Sequence, residues 1–226
     1  MVHRQRLILG FFALVALAAA ADPLEGVFAR IDASAKNFRY LTADLSRTDH
    51  TAIVNDDSRQ SGTIKLVRAK TGQTRMLIDF RDPGAVTVSF DGHQGRRYLP
   101  KTKTLELYDV ADKESRMIGE FLLLGFGVSS TELKNTYDVA YAGEEKLGAQ
   151  PVSHIRLVPK SAETRKGMKQ ADLWIAESGL VAQQKILEPS GDYKLYVYSN
   201  VKQPSSIPDK ELELNPKGAT IQKIQR

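Results

Sequence analysis

Apolar and polar positions alternate along most of this chain, and only two stretches carry the longer period of a helix. Leu24, Val27, Phe28, Ile31 and Ala35 recur at helical spacing. Before them, Asp22-Pro23-Leu24-Glu25 supplies a cap, a proline at the first helical position and an acid in the first turn, so a helix is predicted over 22–36. From Tyr40 the period drops to two. Leu41, Ala43 and Leu45 alternate with polar partners, and the pattern fades in the polar stretch Asp49 to Arg59. A second strand is expected over 62–67, with Ile64 and Leu66 on one face. A third covers 75–80 and places Met76, Ile78 and Phe80 together. Asp82-Pro83-Gly84 turns the chain into 85–90, where Val86, Val88 and Phe90 share a face. Asp91-Gly92 turns again into 96–100, and 104–110 completes a meander of about six strands.

The segment Met117 to Gly127 breaks this pattern. Met117, Ile118, Phe121, Leu122 and Leu124 make a wide apolar face on a helix predicted over 113–124, Glu120 marks its wet side, and Gly125 and Gly127 stop it. A second short helix is expected near Ser129-Ser130, with Ser130 as its cap. Strands then resume at 137–141, 151–158, 171–176, 180–187 and 193–201. A last short one is expected near 212–214, and the tail after Pro216 reads as frayed. Leu173 and Ile175 fall on the apolar face of the 171–176 strand. The chain is therefore mainly β, in an α+β arrangement. About eleven strands with one apolar face must curl into a half or whole barrel. The 117–124 helix then either plugs that barrel permanently or closes over an apolar cavity as a lid.

The first residues read as an export signal. Arg4 and Arg6 precede an apolar run from Leu7 to Leu17, and Ala18 to Ala21 give a small-residue cleavage site, equally satisfied after Ala20 or Ala21. The division expected is a signal peptide over 1–21 and one domain over 22–226, with a helical insertion at 111–136. Removing the signal takes away two arginines and no acid, lowering the net charge from +5 to +3. So mild a balance, without interleaved aromatics, calls for no nucleic-acid partner. With no cysteine there is no disulfide framework and no thiol chemistry. The remaining chain of about 205 residues is long enough to bury a core without such staples.

Catalytic chemistry is sparse. Beyond His3 the histidines are His50, His93 and His154. His50 lies near Asp49, Asp56 and Asp57, but the spacing matches no metal template and reads as a solvated loop. His93 falls in a turn and His154 on the polar face of a strand, so both are expected at the surface. There is no nucleophile elbow, phosphate-binding loop or HExxH pair, and no base stands beside a nucleophile in the sequence. The expectation is a protein that is not an enzyme and needs no cofactor or metal.

Several short stretches, in order and spacing, resemble the periplasmic outer-membrane lipoprotein carriers of the LolA type and their receptor and lipid-binding relatives. They are Ser89-Phe-Asp-Gly92, Tyr98-Leu-Pro100, the apolar 117–127 segment, Leu157-Val-Pro-Lys160, Leu173-Trp-Ile175, Gln183-Gln184, Ser190-Gly-Asp192 and Pro216-Lys-Gly218. The resemblance covers nearly the whole mature chain. It implies an unclosed, strongly curved antiparallel barrel of about eleven strands with a helical lid over a hydrophobic cavity. It also implies lipoprotein acyl chains, or another lipid, as cargo, taken from an inner-membrane ABC transporter and passed to an outer-membrane receptor. In that family an arginine on the second strand holds the lid shut. The matching position is Arg68, although the proline that follows it in the family is replaced by Ala69-Lys70-Thr71-Gly72.

The site expected on this reading is a cavity lined by Ile64, Leu66, Met76, Ile78, Phe80, Val86, Val88, Phe90, Leu173 and Ile175. Met117, Ile118, Phe121, Leu122 and Leu124 form the lid, and Arg68 is its latch. The protein is expected to be a monomer in the periplasm. Two other readings stand beside this one: a module that senses lipids or lipoproteins, and a structural envelope protein with a filled core.

Overall fold

A computed structural model describes residues 22–69, 73–91, 94–109, 124–214 and 216–224. Helix α1 (Pro23–Asn37) starts where the cap signal places it, with the Asp22 carboxylate accepting from the Leu24 N–H. The first strands are β1 (Tyr40–Thr51), β2 (Asp56–Arg68), β3 (Thr74–Asp82), β4 (Val86–Phe90), β5 (Gln94–Leu99) and β6 (Thr104–Asp109). Helix α2 (Ser130–Thr136) follows, then β7 (Tyr137–Leu147), β8 (Gln150–Pro159), helix α3 (Ala162–Gly167), β9 (Gln170–Ala176), β10 (Val181–Leu187), β11 (Tyr193–Lys202) and β12 (Thr220–Ile224). All twelve strands join one curved, unclosed sheet in the order β12-β6-β5-β4-β3-β2-β1-β11-β10-β9-β8-β7. Two meanders meet where β1 pairs with β11.

Alternation decides which way each strand faces, since a one-residue slip would turn the whole apolar set to water. Leu41, Ala43 and Leu45 of β1, Ile64 and Leu66 of β2, Met76, Ile78 and Phe80 of β3, and Leu173 and Ile175 of β9 all join one apolar cluster. Helix α1 buries Val27, Phe28 and Ile31 in the same cluster. The Asp32 carboxylate of α1 accepts from the Ser130 N–H and hydroxyl, each at 2.7 Å, which ties α1 to α2.

The expected fold class holds, an unclosed curved barrel of about eleven strands. Several finer expectations are corrected: there are twelve strands, and the twelfth, β12, runs parallel to β6. Residues after Pro216 are therefore not a frayed tail. Main-chain pairing holds them even though the side chains of β12 are largely exposed. The stretch expected as a strand near 212–214 begins in a 3-10 turn (Asp209–Leu212), pinned by Asp209 to Arg75 and by Glu211 to Lys65. The polar stretch 49–59 is also not a loop. β1 and β2 pair residue for residue out to Thr51 and Asp56, and a strand ladder needs no apolar side chains to form. The turn at its tip is steadied by Asp192, whose carboxylate accepts from the Ala52 N–H at 2.8 Å.

Candidate functional site

The inner, concave face of the curved sheet is apolar, and its side chains pack into one buried cluster. Cross-strand pairing stacks Leu66 beside Met76 and Phe90, Ile64 beside Ile78 and Val88, and Phe80 beside Val86. Ile64, Leu66, Met76, Ile78, Phe80, Leu173 and Ile175 are almost fully buried, and Val86, Val88 and Phe90 pack against them half-buried. All ten residues predicted to line the cavity thus lie in one cluster.

Of the lid residues, Met117, Ile118, Phe121 and Leu122 lie outside the described residues, as does Glu120. Leu124 is described and is buried in the same cluster. From there the chain crosses this face. Gly125 has φ +89° and presses on Val181, leaving no room for a Cβ. Phe126 sets its ring edge-on to Tyr198 at 4.9 Å and tilted against Phe38 at 6.3 Å. Gly127 follows with φ +68°, and a Cβ there would stand 2.7 Å from the Phe38 ring and 2.9 Å from the Arg68 guanidinium. Both glycines are needed because the backbone turns left-handed while pressed against the wall. They let the segment 124–127 enter the apolar cluster.

Arg68, at the end of β2, therefore lies against Gly127 within the insertion. Its Nη2 is 3.7 Å from Oε1 of Glu132 on α2. Glu132 also closes a capping box with Ser129, whose side chain accepts from the Glu132 N–H while Glu132 accepts from the Ser129 N–H at 2.7 Å. The helix cap is thus Ser129 rather than Ser130, because Ser130 is spent on Asp32. The Ser129 N–H, with help from Arg68, holds the Glu132 carboxyl below the usual carboxylate range.

The remaining polar residues are structural in placement. His50 lies within β1 rather than a loop, hydrogen-bonded to Asp57 at 2.8 Å and stacked on Tyr193. His93 lies outside the described residues. His154, expected at the surface, is buried. Its ring stacks on Trp174 at 4.4 Å, and its two nitrogens each lie 2.8 Å from a carboxylate, Glu145 and Asp172. Glu145 also accepts from the Trp174 indole N–H. Among the described residues no group of three or more acids and histidines could hold a metal ion. No described helix is long and apolar enough to cross a membrane. Sequence reasoning missed Phe38, Phe126, Tyr196 and Tyr198 in the apolar cluster. The alternation along β11 could have found the tyrosines; nothing in the pattern singles out Phe126, flanked by two glycines that read as a stop.

The protein is an unclosed curved sheet whose apolar inner face is crossed by the segment 124–126 and covered in part by α1. The chain belongs to the family described as outer membrane lipoprotein carrier protein LolA, which matches residues 36–214. Members of this family are binding and carrier proteins. Among solved structures the chain resembles MucB, at 12% identity over 87% of this chain and with a TM-score of 0.55. The match covers 64% of the MucB chain. It also resembles an uncharacterised conserved protein from Thermus thermophilus, at 11% identity, 90% and 100% coverage of the two chains, and a TM-score of 0.56. Mycobacterium tuberculosis lipoprotein LppX aligns at 14% identity over 83% and 100% of the two chains, with a TM-score of 0.48. For the first two, at such identities, the likeness shows a shared fold. A search of the curated proteins finds no match.

Proposed function

We propose that this protein is a periplasmic, monomeric carrier that shelters lipoprotein acyl chains on the inner face of its sheet and moves them from the inner to the outer membrane. Residues 1–21 direct export and are cleaved, and 22–226 form the carrier domain. The observation that carries the reading is the apolar inner face itself, formed by Ile64, Leu66, Met76, Ile78, Phe80, Val86, Val88, Phe90, Leu173 and Ile175. Leu124 and Phe126 bridge from the insertion into it. In this reading Met117, Ile118, Phe121, Leu122 and Leu124 close over the cargo, and Arg68 latches them. An inner-membrane ABC transporter loads the carrier and an outer-membrane receptor empties it.

The energetics of transfer support a weak latch. Each sheltered methylene contributes about 0.8 kcal/mol, so a fully enclosed set of acyl chains would hardly leave. A closure held by one exposed ion pair, worth about 0–1 kcal/mol, opens readily under a partner's influence. Arg68 and Glu132, at 3.7 Å, fit that requirement. The test is native mass spectrometry of the mature protein purified from its own host, together with titration of a fluorescent fatty acid. Copurified lipid or lipoprotein and saturable probe binding are expected. Repeated empty preparations and no probe binding would end the carrier reading.

A further inference from the structure

Among the buried polar side chains of β10 and β11, Gln184, Tyr196 and Tyr198, the last is singled out by its hydroxyl. Tyr198 of β11 is 5% exposed and faces inward beside Leu45 of β1. Its hydroxyl is fully buried and makes no hydrogen bond to any described residue. Buried hydroxyls almost always find a partner, because leaving one without costs its full desolvation. Phenylalanine would fill the same space without that cost, and Phe126 and Phe38 show that phenyl rings suit this part of the wall. Burial also drives the phenol far above its ordinary pKa, so it stays a neutral donor.

The group that covers Tyr198 is the Phe126 ring, edge-on at 4.9 Å. Phe126 lies two residues after Leu124, so an acyl chain entering this face would meet the Phe126 ring standing over the hydroxyl. We propose that Tyr198 is the polar anchor of the site: its hydroxyl donates a hydrogen bond to the ester or amide carbonyl of an acyl chain that lies on the inner face in place of Phe126. A carbonyl is the fitting acceptor because it is neutral; a carboxylate would have to be stripped of water in an apolar wall. The inference rests on the carrier reading and deepens it. The inner face would select acylated molecules over plain hydrocarbon, and the anchor would fix how deep the chain slides.

The test uses the full mature chain, Tyr198→Phe, and two probes. One is a pyrene-labelled diacylglycerol, which carries ester carbonyls; the other is diphenylhexatriene, which carries none. The variant is expected to bind the diacylglycerol about fivefold to tenfold more weakly, the loss of one neutral hydrogen bond, and diphenylhexatriene as well as before. It should melt at or above the wild-type temperature, since it loses a hydroxyl without a partner. Equal losses for both probes, no loss for the diacylglycerol, or a lower melting temperature would each overturn the anchor. The last would reveal that the hydroxyl has a partner within the folded chain. Wild-type protein that binds neither probe would instead overturn the carrier reading and the anchor with it.

Discussion

The two halves of the sheet are built from the same alternating pattern but finished differently. In the second half, β9 is buried on both faces from Ala171 to Ala176, and β8 is buried continuously from Val152 to Ile155. A second apolar cluster of Val152, Trp174, Ala176 and Ala182 backs the inner core there. The stacked His154 and its two carboxylates lie alongside Trp174. In the first half, β4 and β5 are only half-buried along most of their length. Val86, Val88 and Phe90 join the core from its margin. One half is a wall supported from behind; the other is buried along β1, β2 and β3 but only partly covered on β4 and β5. A container that must admit and release a bulky apolar load is better served by yielding on one side than on both.

The largest effect should come from cutting the same chemistry out of each wall. Val181→Ala is expected to cost about 2 kcal/mol in urea unfolding, since its buried surroundings have little freedom to collapse into the space. Val88→Ala, at the half-buried margin, should cost about 1 kcal/mol or less. Equal losses would erase the contrast between the walls.

The seam between the halves can be probed by pH. Burial pushes Tyr196 on β11 up to about 12. The unfolded phenol titrates near 10, so the folded state holds this proton more tightly. Its contribution to stability is therefore complete below about pH 10 and is lost as pH rises toward 12, at about 1.4 kcal/mol per unit. Equilibrium unfolding followed across that window should show the decline, and Tyr196→Phe should make it shallower. Tyr198 is shifted the same way, so the slope should not vanish.

The smallest change in stability is expected at the latch. Arg68→Ala should cost under about 1 kcal/mol, because the ion pair is partly exposed and loosely spaced. Its readout is exposure of the inner face. Binding of a hydrophobic dye should rise severalfold while the circular dichroism of the sheet stays unchanged. Unaltered dye binding would remove Arg68 from the role of latch.

The inward faces of β2, β3 and β9 were legible because a period of two can be read directly from Ile64 and Leu66, from Met76, Ile78 and Phe80, and from Leu173 and Ile175. What escaped was held by interactions without an apolar signature. β12 is built from main-chain pairing along an edge, with Ile221 left 62% exposed. The β1–β2 ribbon continues through residues that are polar on both faces. His154 looked like a surface residue because it alternates with Ile155 and Leu157 and shares its strand face with Arg156. Its burial comes from Trp174, Glu145 and Asp172, which reach it from two adjacent strands and leave no trace near it in sequence. The glycines at 125 and 127 were seen, but a turn that ends a helix and a turn that fits a segment against a wall use the same residue.

The seam between β1 and β11 also sets an order of assembly. β1 meets β2 across a short turn, yet its other neighbour arrives about 160 residues later, where Thr42 pairs with Lys202 (202 − 42). Local hairpins can close early, whereas a pairing of that span must wait for nearly the whole chain and makes for slow folding. A nascent chain of this protein therefore spends its early life as two separate ribbons with an unclosed seam. Breaking Leu45 or Tyr198 at that seam would show first in the rate of folding, before it showed in the shape of the finished protein.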